Sequence, residues 1–188
     1  MRDKTKKPNK LHDGKSLQKE IKAIKNTGKR IVLSSGSWDM LHVGHMRYLK
    51  AAKEKGDILI VGVDSDIKIK KRKGPDRPVV PENERIEMLS HLEFVDYIFL
   101  KKHTDKEGNL IKIVGPDILI VSESTKHDPK HLSIVSKYCK EVCILPPQAE
   151  TSTTAKIRTM HISGKKDLVK KIMEEMPKFI NSFLDTAK

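Results

Sequence analysis

Five short apolar runs set the architecture of this chain: Arg30–Gly36, Ile58–Val63, Asp96–Leu100, Asp117–Val121 and Glu141–Leu145. Ile58-Leu59-Ile60-Val61-Gly62-Val63 is nearly all β-branched or apolar, as expected of a strand covered on both faces. Between the runs lie stretches with apolar residues at helical spacing. Leu17, Ile21 and Ile24 fall on one face of a helix that Ser16 would cap and Gly28 would stop. Further helices are expected over Gly44–Lys55, residues 82–92, His131–Cys139 and Thr154–His161. Alternating strands and helices of this kind predict an α/β fold with a doubly wound parallel sheet. Ligands in such a sheet bind at the carboxyl ends of the strands.

The length of 188 residues suits one domain with a short segment at either end. Residues 1–14 are polar, hold Pro8, Asn9 and Gly14, and read as a flexible basic arm. Residues 15–163 form the domain. Residues 164–188 form a helical extension, in which Leu168, Ile172, Met176, Phe179 and Phe183 share a stripe that Pro177 interrupts. No stretch approaches 18 uninterrupted apolar residues, so no membrane span is expected. The amino-terminal residues lack an apolar signal segment. Cys139 and Cys143 are too few for a disulfide framework and wrongly spaced for a zinc knuckle, so the expected location is the cytoplasm.

Charge bears on partners. Thirty-eight Lys and Arg against 25 Asp and Glu give +13, a field that attracts phosphates. Aromatic residues make up only 4%, too few for the stacking platforms of single-strand nucleic-acid binders. A nucleic-acid module would rest on net charge alone, and polyanionic small substrates account for that charge equally well.

The most specific stretch is Gly36-Ser37-Trp38-Asp39-Met40-Leu41-His42-Val43-Gly44-His45. It joins the first run to the next helix, where a doubly wound sheet holds phosphate. Three residues apart at a helix start, His42 and His45 can face one anion above the free N–H groups of that helix. Gly44 lets the backbone come close to a ligand. Zinc is set aside for want of a third ligand nearby.

This stretch resembles the H-x-G-H signature of the cytidylyltransferase-like nucleotidyltransferases. Leu49–Asp57 is similar to the helix of that family that ends in Gly-Asp, and Val61–Asp66 to its second strand end. Lys73-Gly74-Pro75-Asp76-Arg77-Pro78-Val79-Val80-Pro81, continuing to Arg85, resembles the K-G-x-x-R-P-V-x-P segment of one branch. Ser152-Thr153-Thr154 resembles the closing S-T-T motif. The Lys73–Pro81 run and the leading helix resemble the heptose 1-phosphate adenylyltransferase branch in particular.

The resemblance implies transfer of a nucleoside monophosphate, AMP by preference, from a nucleoside triphosphate to a sugar phosphate. His42, His45 and Lys73 would be catalytic. Ser35, Gly36, Ser37, Trp38, Asp39, Gly44, Arg85, Ser152, Thr153 and Thr154 would bind nucleotide or phosphate. Asp64, Ser122, Glu123 and Ser124 would lie at the substrate and base loop. Asp39 is expected to order its loop rather than bind metal, and Mg2+ would travel with the triphosphate. A homodimer is expected from the family and from the apolar stripe of the extension.

Three departures stand out. Trp38 stands where the family commonly has Phe, Pro147, Gln148 and Ala149 stand where glycerol-phosphate enzymes carry an Arg shortly before S-T-T, and Ser122–Asp128 lacks the glycine that usual relatives carry there. Two further readings follow. One is a cytidylyltransferase for glycerol 3-phosphate or another phosphorylated alcohol; the other is a nucleotide-binding protein that has lost activity.

Overall fold

The computed structural model describes residues 10–123, 133 and 135–149. By its packing the chain divides at residues 150/151, and every described residue lies on the amino-terminal side. The expected boundary at 163/164, the extension with its apolar stripe and the helix over Thr154–His161 lie outside the described residues.

Six parallel strands form one sheet: β1 Leu11–His12, β2 Ile31–Gly36, β3 Ile58–Asp64, β4 Tyr97–Lys101, β5 Ile118–Ser122 and β6 Glu141–Leu145. Their order is β1-β4-β3-β2-β5-β6. Successive strands therefore run outward from β2 on one side, and the chain then returns to β5 on the other. The crevice between β2 and β5 is the switch point of the doubly wound sheet. Among the described residues the strands are connected by α1 Gly14–Lys25, α2 Val43–Lys53, α3 Asp66–Lys73, α4 Glu82–Ser90 and α5 Asn109–Val114.

The apolar runs alternate between two cores. Ile31, Leu33 and Ile60 pack with Leu17, Ile21 and Ile24 of α1 and with Leu110 and Val114 of α5. Val32, Leu59, Val61 and Val63 pack with Leu49 and Ala52 of α2 and with Ile86 and Leu89 of α4. Period-two alternation with both faces apolar explains the unbroken hydrophobic reading of β3. Among the described residues no helix is long and apolar enough to cross a membrane.

Several expectations are corrected in detail. The arm expected over residues 1–14 ends earlier, because Leu11 and His12 pair with Ile98 and Phe99 of β4. Asp13, not Ser16, caps α1; Asp13 Oδ1 accepts from Ser16 N–H at 2.8 Å, and Ser16 Oγ accepts from Asp13 N–H at 3.0 Å. The cation run Lys68–Lys73 lies in α3, a helix with no counterpart among the expected elements, where Ile69 is the buried residue. The short helix α5, between Gly108 and Gly115 with their positive φ, has no counterpart among the expected elements. In the segment expected to be helical over His131–Cys139, the described part includes a 3-10 turn at Ser136–Tyr138.

Candidate active site at the carboxyl edge of the sheet

The loop from β2 to α2 leaves the sheet at the switch point and carries the histidine pair. His42 is the N-cap of α2, and its Nδ1 accepts from Gly44 N–H at 3.1 Å. His45, at the third helical position, uses Nδ1 to accept from His42 N–H at 3.4 Å. Two imidazoles thus fill the places of the hydroxyl and carboxylate in an ordinary capping box. An Nδ1 that accepts cannot carry a proton in the neutral ring, so each ring presents Nε2–H as its donor. The ring centroids are 4.1 Å apart. Two N–H donors therefore sit side by side above a helix N-terminus, an arrangement suited to adjacent oxygens of one polyphosphate.

Burial lowers the His45 pKa from 6.5 to about 4, with the charges of His42 and Lys73 acting in the same direction and Asp39 opposing. At neutral pH His45 is an uncharged donor. Its folded value lies below its ordinary one, so the unfolded chain binds more protons between pH 4 and 6.5. Stability is therefore expected to fall as pH drops through that window, by at most about 1.4 kcal/mol per unit, less the screening that partial exposure brings. Urea midpoints at pH 7, 5.5 and 4.5 measure this. His45→Gln should flatten the slope, and equal slopes in the two proteins would rule the effect out.

Trp38 fixes the loop from inside. Its φ of 53° and the 49° of Met40 lie in the left-handed region, a strain of order 1 kcal/mol or more at each position. The indole is buried, donates Nε1–H to Gly62 O at 2.9 Å, and meets the His45 ring edge-on with centroids 5.7 Å apart. Trp38 therefore backs His45 and does not itself offer a surface to nucleotide, contrary to the expectation. Gly44 is also required from within, since a Cβ there would lie 2.8 Å from His42 Cε1 and 2.9 Å from Ala149 Cβ.

Asp39 ties this loop to the Lys73–Pro81 segment. Its buried carboxylate accepts from Val79 N–H at 3.1 Å and Val80 N–H at 3.0 Å, and Arg77 Nη2 stands 2.7 Å from Oδ2. Lys73, in the last turn of α3, is thereby brought close to His45. Burial lowers its pKa from the usual lysine value, Arg72 and Arg77 add to the shift, and Asp39 and Asp64 oppose it. His42, His45 and Lys73 thus lie on one stretch of the carboxyl edge, near enough for the Lys73 charge to act on His45. Beside them stands Arg77, a cation that the sequence reading does not single out, although its place in the R-P-V-x-P run is an available signal.

Arg85 is placed differently from the expectation that it reaches toward phosphate. It is fully buried. Nε donates to Val80 O at 2.9 Å, Nη2 to Asp64 O at 2.9 Å and to Asp66 Oδ1 at 2.7 Å, and Nη1 to Ser37 O. The guanidinium clamps three segments of the carboxyl edge, at Ser37, at Asp64–Asp66 and at Val80, and is turned to protein oxygens.

The remaining candidates spread along the same edge. Ser35 is exposed at the end of β2, Gly36 is half-buried, and Ser37 Oγ accepts from Arg72 Nη2 at 2.9 Å. Asp64 ends β3, nearly fully buried, between Arg72 and Lys101. Ser122 ends β5, and the exposed Glu123 donates its N–H to Leu145 O at 3.0 Å. Ser124, Ser152, Thr153 and Thr154 lie outside the described residues.

With this geometry in place, the chain can be set beside known proteins. The cytidylyltransferase-like family model matches residues 33–166. A bifunctional protein HldE from a Nitratiruptor species is 42% identical over 151 residues, covering 80% of this chain and 32% of that protein. The HldE of Helicobacter acinonychis is 39% identical over 140 residues, covering 74% and 29%. The chain therefore spans about a third of the length of these curated relatives. Among solved structures, a lipopolysaccharide core biosynthesis protein from Thermoplasma volcanium is 33% identical with a TM-score of 0.55, covering 66% of this chain and all of that one. A pantoate-beta-alanine ligase from Francisella tularensis, 17% identical with a TM-score of 0.53, covers 74% of this chain and 67% of its own, and shares the fold.

Proposed function

This chain belongs to the cytidylyltransferase-like family, and on that premise we propose that it transfers AMP from ATP to a sugar phosphate, releasing pyrophosphate. The observation that carries the reading is the histidine capping box, which leaves two Nε2–H donors over the N-terminus of α2. An acceptor phosphate oxygen attacks the α-phosphorus of the nucleotide. The new P–O bond forms as the bond to the α–β bridging oxygen breaks, and pyrophosphate leaves with the electron pair. Charge grows on the equatorial α-oxygens and on the leaving group, so catalysis consists of positioning and charge stabilisation. His42 and neutral His45 donate to those oxygens, while Lys73 and Arg77 supply positive charge toward the pyrophosphate.

Magnesium enters with the triphosphate as part of the substrate. The nearby carboxylates Asp39 and Asp64 are engaged by cations and, for Asp39, by backbone N–H groups. The ion therefore keeps phosphate oxygens and water as its ligands. The likeness of Lys73–Pro81 to the heptose 1-phosphate branch supports AMP and a sugar phosphate, as does the similarity to HldE and to a lipopolysaccharide core biosynthesis protein. The reading places the chain in the cytoplasm, where nucleoside triphosphate is available, and as a homodimer.

Pyrophosphate release with ATP and with CTP, each against a panel of sugar 1-phosphates and glycerol 3-phosphate, tests this. Release with ATP and a sugar 1-phosphate is the expected outcome. Release with CTP and glycerol 3-phosphate alone would replace it with the cytidylyl reaction, and nucleotide binding without release from any pair would leave a binding protein.

A further inference from the structure

A second cluster occupies the carboxyl edge on the β4 side of β2, away from the switch-point crevice. Asp64 ends β3 and is in register with Lys101 at the end of β4. The Asp64 side chain is 1% exposed. Its Oδ1 lies 3.1 Å from Lys101 Nζ, and its Oδ2 lies 2.8 Å from Arg72 Nη2. Lys101 Nζ also donates to Ser35 Oγ at 3.2 Å. The same Nη2 of Arg72 donates to Ser37 Oγ at 2.9 Å. The ends of three adjacent strands and the last turn of α3 therefore converge on one carboxylate.

One buried carboxylate shared by two cations leaves a net positive charge. The second cation is in excess of what neutralises the carboxylate. Nor is the excess neutralised by the next carboxylate, since Asp66 is held by Arg85. Burial holds the Lys101 ammonium below the usual lysine range; Asp64 opposes this, and Lys68 and Arg72 reinforce it. The cluster also reaches solvent: the Arg72 side chain is 53% exposed, that of Lys101 is 21% exposed, and Ser35 is exposed beside them. Two partly exposed cations and a hydroxyl, fixed from below by a carboxylate, have the donor set for a phosphate.

Its position selects which phosphate. A nucleotide in the crevice between β2 and β5, with its triphosphate over α2, leaves the β4 side of β2 open for the other substrate. Arg72 and Lys73 are consecutive, so the two seats adjoin, as in-line attack of an acceptor phosphate on the α-phosphorus requires. We propose that Lys101 and Arg72, bridged by Asp64, form a separate anion seat that receives the phosphate of the acceptor. The role assigned to that phosphate rests on the transfer reaction proposed above. Asp64, expected from the sequence to touch substrate, instead aims the two cations that do.

The test uses the full chain and inorganic phosphate as the probe. Equilibrium dialysis of labelled phosphate is run with and without saturating α,β-methylene-ATP. Phosphate should still bind when the analogue is present. Lys101→Gln should weaken that binding roughly tenfold or more, with analogue affinity changed by less than about twofold, and Lys101→Arg should restore most of it. Arg72→Gln, at the more exposed position, should behave like Lys101→Gln and serves if the latter does not fold. Phosphate binding that vanishes with the analogue, or that Lys101→Gln and Arg72→Gln leave unchanged, would overturn the seat. So would equal losses for phosphate and analogue. The two readings fail separately. Phosphate binding as described with no pyrophosphate from any acceptor defeats the transfer reaction alone. Pyrophosphate release with an acceptor KM unmoved by Lys101→Gln defeats the seat alone.

Discussion

His45→Ala is expected to lower turnover by roughly two to three orders of magnitude, the usual effect of removing a preorganised transition-state donor. Folding should change little, because the one bond that the His45 ring accepts among the described residues, from His42 N–H, is long at 3.4 Å. His42→Ala should cost less turnover and more stability. Its ring is the N-cap of α2, and a lost cap is worth about 1 kcal/mol. Steady-state rates and urea midpoints on the same preparations separate the two effects. Near-wild-type turnover in the double variant would remove the histidines from the mechanism.

Arg85→Ala is expected to act in the opposite sense, through the fold first. Truncation leaves Val80 O, Ser37 O, Asp64 O and the Asp66 carboxylate without this donor, around a side chain that is itself fully buried. Removing one member of such a buried network costs about 3–5 kcal/mol. Against a typical domain stability of about 5–15 kcal/mol, that is a large share. Lysine should not restore it, because one ammonium cannot reproduce the fork that reaches four acceptors. Chemical denaturation of Arg85→Ala and Arg85→Lys measures the loss. Wild-type stability together with lost phosphate binding would return Arg85 to the direct contact that its place in the sequence suggests.

These two residues show what the chain discloses before folding. The strands are legible because parallel strands buried on both faces must be apolar without interruption, as Ile58–Val63 is. Helices with several buried positions, such as α1 with Leu17, Ile21 and Ile24, are legible by period. The helix α3 is not, because it buries Ile69 alone and its remaining residues are mostly lysine and arginine. Its signals are the cap at Ser65, the cations in the last turn and the stop at Gly74, none of which is periodic. Likewise α5 spans only six residues, too few to display a pattern.

At the site, residue identity points to His42 and His45 through one contiguous motif and to Lys73 through a second motif further along the chain. Direction is what the sequence does not carry. An arginine in a motif faces ligand or protein according to which carbonyls the fold sets around it, and Arg85 meets three carbonyls and a carboxylate. Lys101 is hidden for the complementary reason. In the sequence it is one of many lysines, and only the β3–β4 register sets it against Asp64.

Phosphorus NMR of a reaction containing the chain, ATP, Mg2+ and a sugar 1-phosphate tests the central claim most directly, because it reports which bond of the nucleotide breaks. Attack at the α-phosphorus predicts inorganic pyrophosphate and a new mixed diphosphate joining AMP to the sugar, in equal amounts, with both signals lost in His45→Ala. ADP with a sugar bisphosphate or free orthophosphate would mean that the γ-phosphorus is attacked, and would contradict the placement of the α-phosphate over the histidine-capped end of α2.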